Sequence, residues 1–168
     1  MRYCQLFGTK AQEAWGEFHE RCFIFFNGIF SKLIYDNDTV LIKDASKGQH
    51  IETSFSLALR EHYGFHSVYC NPASGNEKGS VENGVGYCRR NYLPGCPCHS
   101  NFDSVNEYLK QHCKDEIAKN AMSRSGENTD KTLEEVRGNL KPLLPMRKWG
   151  LVHNTGHYAA IFVLDRRG

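Results

Sequence analysis

The chain has 168 residues, long enough to bury a core and short enough for one domain. Hydrophobic residues make up 40% and aromatics 12%, which excludes a disordered chain. A net charge of +2 permits nucleic acid as a partner without requiring it. No apolar run nears the roughly eighteen residues of a membrane span, and the start lacks a signal-peptide pattern. A cytoplasmic location is expected. Seven cysteines, an odd number without secretory context, are expected to be reduced thiols.

Residues 1 to 7 read as a strand, with Gly8-Thr9-Lys10 as the turn. From Gln12 to Asn27, Trp15, Phe18, Cys22, Phe25 and Phe26 share one face, so an amphipathic helix ending at Asn27-Gly28 is predicted. Its aromatics are expected in a core rather than on a base-stacking surface, and His19 beside them is read as structural. Leu33 to Tyr35 read as a short buried strand that ends at Asp36-Asn37. Thr39 to Ile42 is expected to be extended, with a polar loop over Lys43 to Gln49. Ser54 to Tyr63 reads as a helix stopped by Gly64, with Phe55, Leu57, Leu59 and Tyr63 packed inward.

His66 to Cys70 is rich in β-branched and aromatic residues and reads as a strand. Asn71-Pro72 and Gly75-Asn76 break it into a loop. Val81, Val85, Cys88 and Tyr92 then recur at helical spacing, which predicts a helix over 78–93 with Glu82 one turn inside. Pro94, Gly95 and Pro97 mark a boundary. Asp103 to Ala118 reads as a polar helix, Asn120 to Asp130 as a soft linker, and Thr132 to Glu135 as a capped helix start. Tyr158 to Leu164 can form one strand, for which the sequence offers no partner. Strands alternating with helices predict a layered α/β fold.

An acid at the carboxyl end of one strand and another on the helix after the next strand meet at one edge of an open α/β sheet. Such a pair suits magnesium, which takes oxygen ligands. Tyr35-Asp36-Asn37 and the long motif Asn71-Pro72-Ala73-Ser74-Gly75-Asn76-Glu77-Lys78-Gly79-Ser80-Val81-Glu82-Asn83 resemble the second half of the catalytic core of IstA-type insertion-sequence transposases. These belong to the retroviral-integrase-like group. The resemblance covers residues 1 to about 145. It implies an RNase H-like integrase core lacking its first strands, followed by a mostly helical C-terminal extension. The organisation expected is a partial core over 1–93, a helical arm over 94–145 and an unmatched tail over 146–168.

By the same resemblance Asp36 and Glu82 are the second and third acids of an Asp, Asp, Glu triad and ligands of two Mg2+ or Mn2+ ions. The implied activity is metal-dependent DNA cleavage and strand transfer, with a homo-oligomer and an ATPase helper protein as further partners. Lys78, Arg89 and Arg90 are expected to contact DNA phosphate, and Lys43, Lys47 and His50 to line a DNA path. Asn37 and Asn83 flank the acids, as metal-ligand orienters or as turn and cap residues. No Asp precedes Asp36. The first acid and the family's N-terminal DNA-binding region are therefore expected to be missing, with a reading-frame change near Leu144-Pro145 and activity lost in the chain alone. A sheet without its central strands would expose an edge and invite aggregation. Two other readings remain: a non-catalytic DNA- or partner-binding remnant, and a small metal-binding protein using Cys96, Cys98 and His99.

Overall fold

A computed structural model of the chain describes residues 2–44, 50–70, 84–96, 101–125, 138–150 and 160–165. The elements are β1 (Arg2–Phe7), α1 (Gln12–Phe26), β2 (Lys32–Tyr35), β3 (Ile42–Asp44), β4 (Ile51–Glu52), α2 (Ser54–Tyr63), β5 (His66–Tyr69), α3 (helical over 84–91), α4 (Phe102–Ser125) and β6 (Ala160–Asp165). A 3-10 turn at Leu93–Gly95 lies between α3 and α4. The fold is mixed α/β, as the alternating pattern predicted. Two compact units result, one of 1–9, 84–140 and 153–168, the other of 10–83 and 141–152.

The second unit is built on α1. Phe18, Cys22, Phe23 and Phe26 of this helix are buried, with Trp15 and Phe25 half-buried. The helix stops because Asn27 adopts the left-handed conformation (φ 56°), where its N–H bonds the Ile24 carbonyl. Phe55, Leu59 and Tyr63 of α2 complete the core with Leu33 and Tyr35 of β2. Thr53 caps α2 by accepting from the Ser56 N–H at 3.1 Å, and Gly64 ends it at φ 67°.

β2 and β5 run parallel, pairing Lys32 with His66 through Tyr35 with Tyr69. The expectation of a wholly buried β2 is corrected: Leu33 and Tyr35 are buried, but Ile34 is 58% exposed and its cross-strand partner Val68 37%. Side chains alternate between sheet faces, and among the described residues only one face of this pair is packed. The extended segment expected at Thr39 to Ile42 is shifted as well. Asp38 folds 39–41 into a turn, its carbonyl accepting from Leu41 and Ile42 N–H and its Oδ1 from Val40 N–H at 3.0 Å. The strand starts only at Ile42 and pairs antiparallel with β4.

The segment after Pro145 is partly packed. Trp149 lies against Gly16 of α1 and 5.5 Å from the Phe55 ring. This explains a glycine inside a helix, where it costs about 1 kcal/mol against alanine. A Cβ on Gly16 would come within 2.3 Å of Trp149 Cγ, at the root of that side chain. Gly16→Ala should therefore destabilise by about 2 kcal/mol despite its better helix propensity. Urea unfolding of Gly16→Ala with and without Trp149→Ala checks this; an equal effect in both backgrounds would sink it.

In the first unit β1 pairs antiparallel with β6, Arg2 opposite Asp165 through Phe7 opposite Ala160. The final strand thus has the partner that sequence reading could not find. α4 packs on β1 and runs to Ser125, correcting the linker expected from Asn120: Ala118, Ala121 and Met122 are good helix formers despite their polar neighbours. Asn106 of α4 brackets Leu6, its Oδ1 accepting from the Leu6 N–H at 2.8 Å and its Nδ2 donating to the Leu6 carbonyl at 2.9 Å. At this point of β1 the backbone is closed by a side-chain amide. The start predicted at Thr132 to Glu135 lies outside the described residues.

Candidate active site

The parallel ladder of β2 and β5 sets the geometry. Its last pair is Tyr35 and Tyr69, and the Cys70 N–H donates to the Tyr35 carbonyl at 3.0 Å. Both strands therefore end at the same edge. Asp36 is the first residue beyond β2 there, half-buried, with its Oδ1 accepting from the Asn37 N–H at 2.8 Å. Its own carbonyl accepts from the Asp38 N–H at 2.8 Å. The chain turns sharply at this carboxylate, and the Asp38 carboxylate is occupied by the Val40 N–H and, at 3.4 Å, by Lys10.

Two hydrogen-bond systems hold the edge from beneath. His19 is 1% exposed, with Nδ1 2.7 Å from the Trp15 carbonyl and Nε2 2.6 Å from the Tyr35 hydroxyl. A carbonyl only accepts, so Nδ1 carries the proton and the Tyr35 hydroxyl donates to Nε2. Burial pushes His19 down to about 4 and Tyr35 well above the usual phenol range. This bears out the structural reading of His19.

The second system escaped sequence reading. Glu52 Oε1 accepts from the Tyr69 hydroxyl at 2.8 Å and from Ser56 Oγ at 3.0 Å, while its Oε2 accepts from Arg60 Nε at 2.9 Å. Burial, reinforced by the Glu52 carboxylate, raises Tyr69 to about 12. The His50 ring lies 5.5 Å from that of Tyr69. The only available signal was the i, i+4 and i, i+8 spacing of Glu52, Ser56 and Arg60 across a helix start, which reads equally as capping.

The predicted site residues fall in three groups. Asp36 and Lys43 belong to the second unit, Lys43 exposed on β3. Arg89 and Arg90 belong to the first, both exposed on α3, whose Cys88 and Tyr92 are buried as the helical spacing predicted. Glu82, Asn83, Lys78 and Lys47 lie outside the described residues, as do Cys98 and His99. Among the described residues no three His, Cys, Asp or Glu side chains are arranged to hold a metal ion. Among the described residues Cys4, Cys22, Cys70, Cys88, Cys96 and Cys113 are free thiols. No described helix is long and apolar enough to cross a membrane.

No family model matches the chain. Individual proteins do. A transposase of Aminobacter aminovorans is 34% identical over 120 residues, 70% of this chain and 24% of its own length. The transposase for insertion sequences IS1326/IS1353 of Pseudomonas aeruginosa is 34% identical over 98 residues, 57% of this chain and 19% of that protein. The transposase for insertion sequence element IS21 of Pseudomonas aeruginosa matches 73% of this chain at 27% identity, over 32% of its length. This chain is a relative of the IS21-type insertion-sequence transposases. It spans about a quarter, or less, of the first two of these transposases. Its described part holds a parallel strand pair with Asp36 at the carboxyl edge.

Proposed function

We propose that this chain is the downstream part of an RNase H-like transposase core, acting on DNA, with Asp36 and Glu82 as two acids of a metal-binding triad. The observation that carries the proposal is Asp36 at the carboxyl edge of two parallel strands, the second of which leads into the motif containing Glu82. Ligand sites of open α/β sheets lie at that edge. The donor chemistry fits a hard divalent ion: one Asp36 oxygen accepts a single backbone N–H, and a carboxylate has about four lone-pair sites. Bound Mg2+ or Mn2+ would supply Lewis-acid stabilisation and an activated water for phosphodiester attack.

The chain's own residues divide the remaining work. Asp36 offers oxygen ligands from a backbone fixed by the Asn37 and Asp38 N–H contacts. Glu82 would contribute a second carboxylate. His19 and Glu52, through Tyr35 and Tyr69, keep the strand ends in register. Arg89, Arg90, Lys43, Lys47 and Lys78 would neutralise DNA phosphates, and the three of these that are described in the structure are exposed. The resemblance adds a homo-oligomer, an ATPase helper and a cytoplasmic setting.

Mn2+ titration of the chain, Asp36→Asn and Glu82→Gln, with binding and nicking of DNA bearing insertion-sequence ends, tests the reading. Metal binding should weaken about tenfold or more in each variant. DNA binding should persist in both and fall with salt, and Arg89→Ala should reduce the salt slope by about 1. Metal-dependent nicking that disappears in Glu82→Gln would establish a working enzyme. DNA binding without nicking in any protein would establish a non-catalytic DNA binder. Mn2+ binding unchanged in both variants would overturn the metal assignment.

A further inference from the structure

The first unit buries a group of thiols on β1, α3 and α4. Cys4 on β1 and Cys113 on α4 are 1% and 0% exposed, with their sulfurs 3.8 Å apart. Cys88 of α3, equally buried, also approaches Cys4. A disulfide needs the sulfurs at about 2.05 Å, so Cys4 and Cys113 must close by about 1.8 Å.

We infer that Cys4 and Cys113 form a redox-active dithiol that a low-molecular-weight disulfide converts into a bond locking β1 to α4. The chemistry is asymmetric. Either thiol can donate in the contact, and that contact with Cys4, with the positive charge of the Arg2 guanidinium, holds Cys113 below the usual thiol range. Cys113 is thus the first nucleophile.

After local opening admits the reagent, the Cys113 thiolate attacks one sulfur of the small disulfide. That S–S bond breaks and one small thiolate leaves, taking up the proton Cys113 released. Cys4 Sγ, giving its proton to water, attacks Cys113 Sγ in the mixed disulfide, and the second small thiolate departs and is protonated. Two protein thiols are oxidised by two electrons and one small disulfide is reduced to two thiols. The bond closes a loop across 109 sequence positions, which raises stability by constraining the unfolded chain.

Oxidised glutathione, followed by alkylation of remaining thiols and peptide mapping under native conditions, tests the pairing. The expected result is a Cys4–Cys113 cross-linked peptide, an intact mass lower by two hydrogens and a raised Tm, all reversed by dithiothreitol. Cys88→Ser should leave the cross-link intact, and Cys113→Ser should abolish it. Should Cys113→Ser not fold, mapping of the unsubstituted chain still decides. Cys4 linked to Cys88, both thiols remaining alkylatable after prolonged oxidation, or stoichiometric zinc shielding them would overturn the inference. None of these readouts depends on DNA or on the proposed metal site.

Discussion

Lowering the pH from 7 to 4 should remove about 3 kcal/mol of stability through His19 alone. The imidazole titrates near its ordinary value of 6.5 when unfolded and at about 4 when folded, because complete burial disfavours the cation. Between these values the unfolded chain holds one more proton, so stability rises with pH across the window. It falls as pH drops below 6.5, and the contribution is fully lost below about 4. Protonation is opposed further by geometry: Nε2 accepts from the Tyr35 hydroxyl, which would have to turn its hydrogen away and lose that acceptor. Glu20, raised chiefly by burial, works in the opposite direction. Urea unfolding at pH 7, 5.5 and 4 should therefore give a flatter profile for His19→Phe than for the unsubstituted chain. Parallel profiles would mean that His19 is not the responsible group.

Replacing Asn106 by Leu should cost about 3 to 4 kcal/mol. The substitution nearly preserves volume but removes both partners of the Leu6 backbone, leaving an N–H and a carbonyl unpaired beside a residue only 7% exposed. Each such buried group costs about 1 to 3 kcal/mol, against a gain of a few tenths from leucine's better helix propensity. Asn106→Asp should also destabilise, since it keeps an acceptor for the N–H but sets a carboxylate against the Leu6 carbonyl. Denaturant unfolding and amide exchange at Leu6 report both effects. A change for Asn106→Leu within about 0.5 kcal/mol, the range of ordinary surface substitutions, would show that water replaces the amide.

The two predictions concern different units, and their origins differ. His19 was readable as structural from its place beside an apolar helical stripe. Its Tyr35 partner was not, because sixteen residues and a strand intervene. Asn106 carries no signal at all: an asparagine inside a polar helix resembles any solvated residue until the strand beside it is known. The same holds for Glu52, whose tie to Tyr69 crosses from β4 to β5.

Whatever depends on neighbouring residues was legible in the chain. The stripe from Trp15 to Phe26, the left-handed stops at Asn27 and Gly64 and the strand ends at Tyr35 and Tyr69 all follow from local spacing and backbone preference. So did the transposase kinship, since a long motif is read residue by residue. Only long-range packing settles that β1 takes β6 as its partner, that Trp149 fills the notch at Gly16, that among the described residues Ile34 and Val68 stand exposed on one sheet face, and that Cys4 meets Cys113. Each joins or exposes residues through long-range packing, and packing between distant segments leaves no period in the chain.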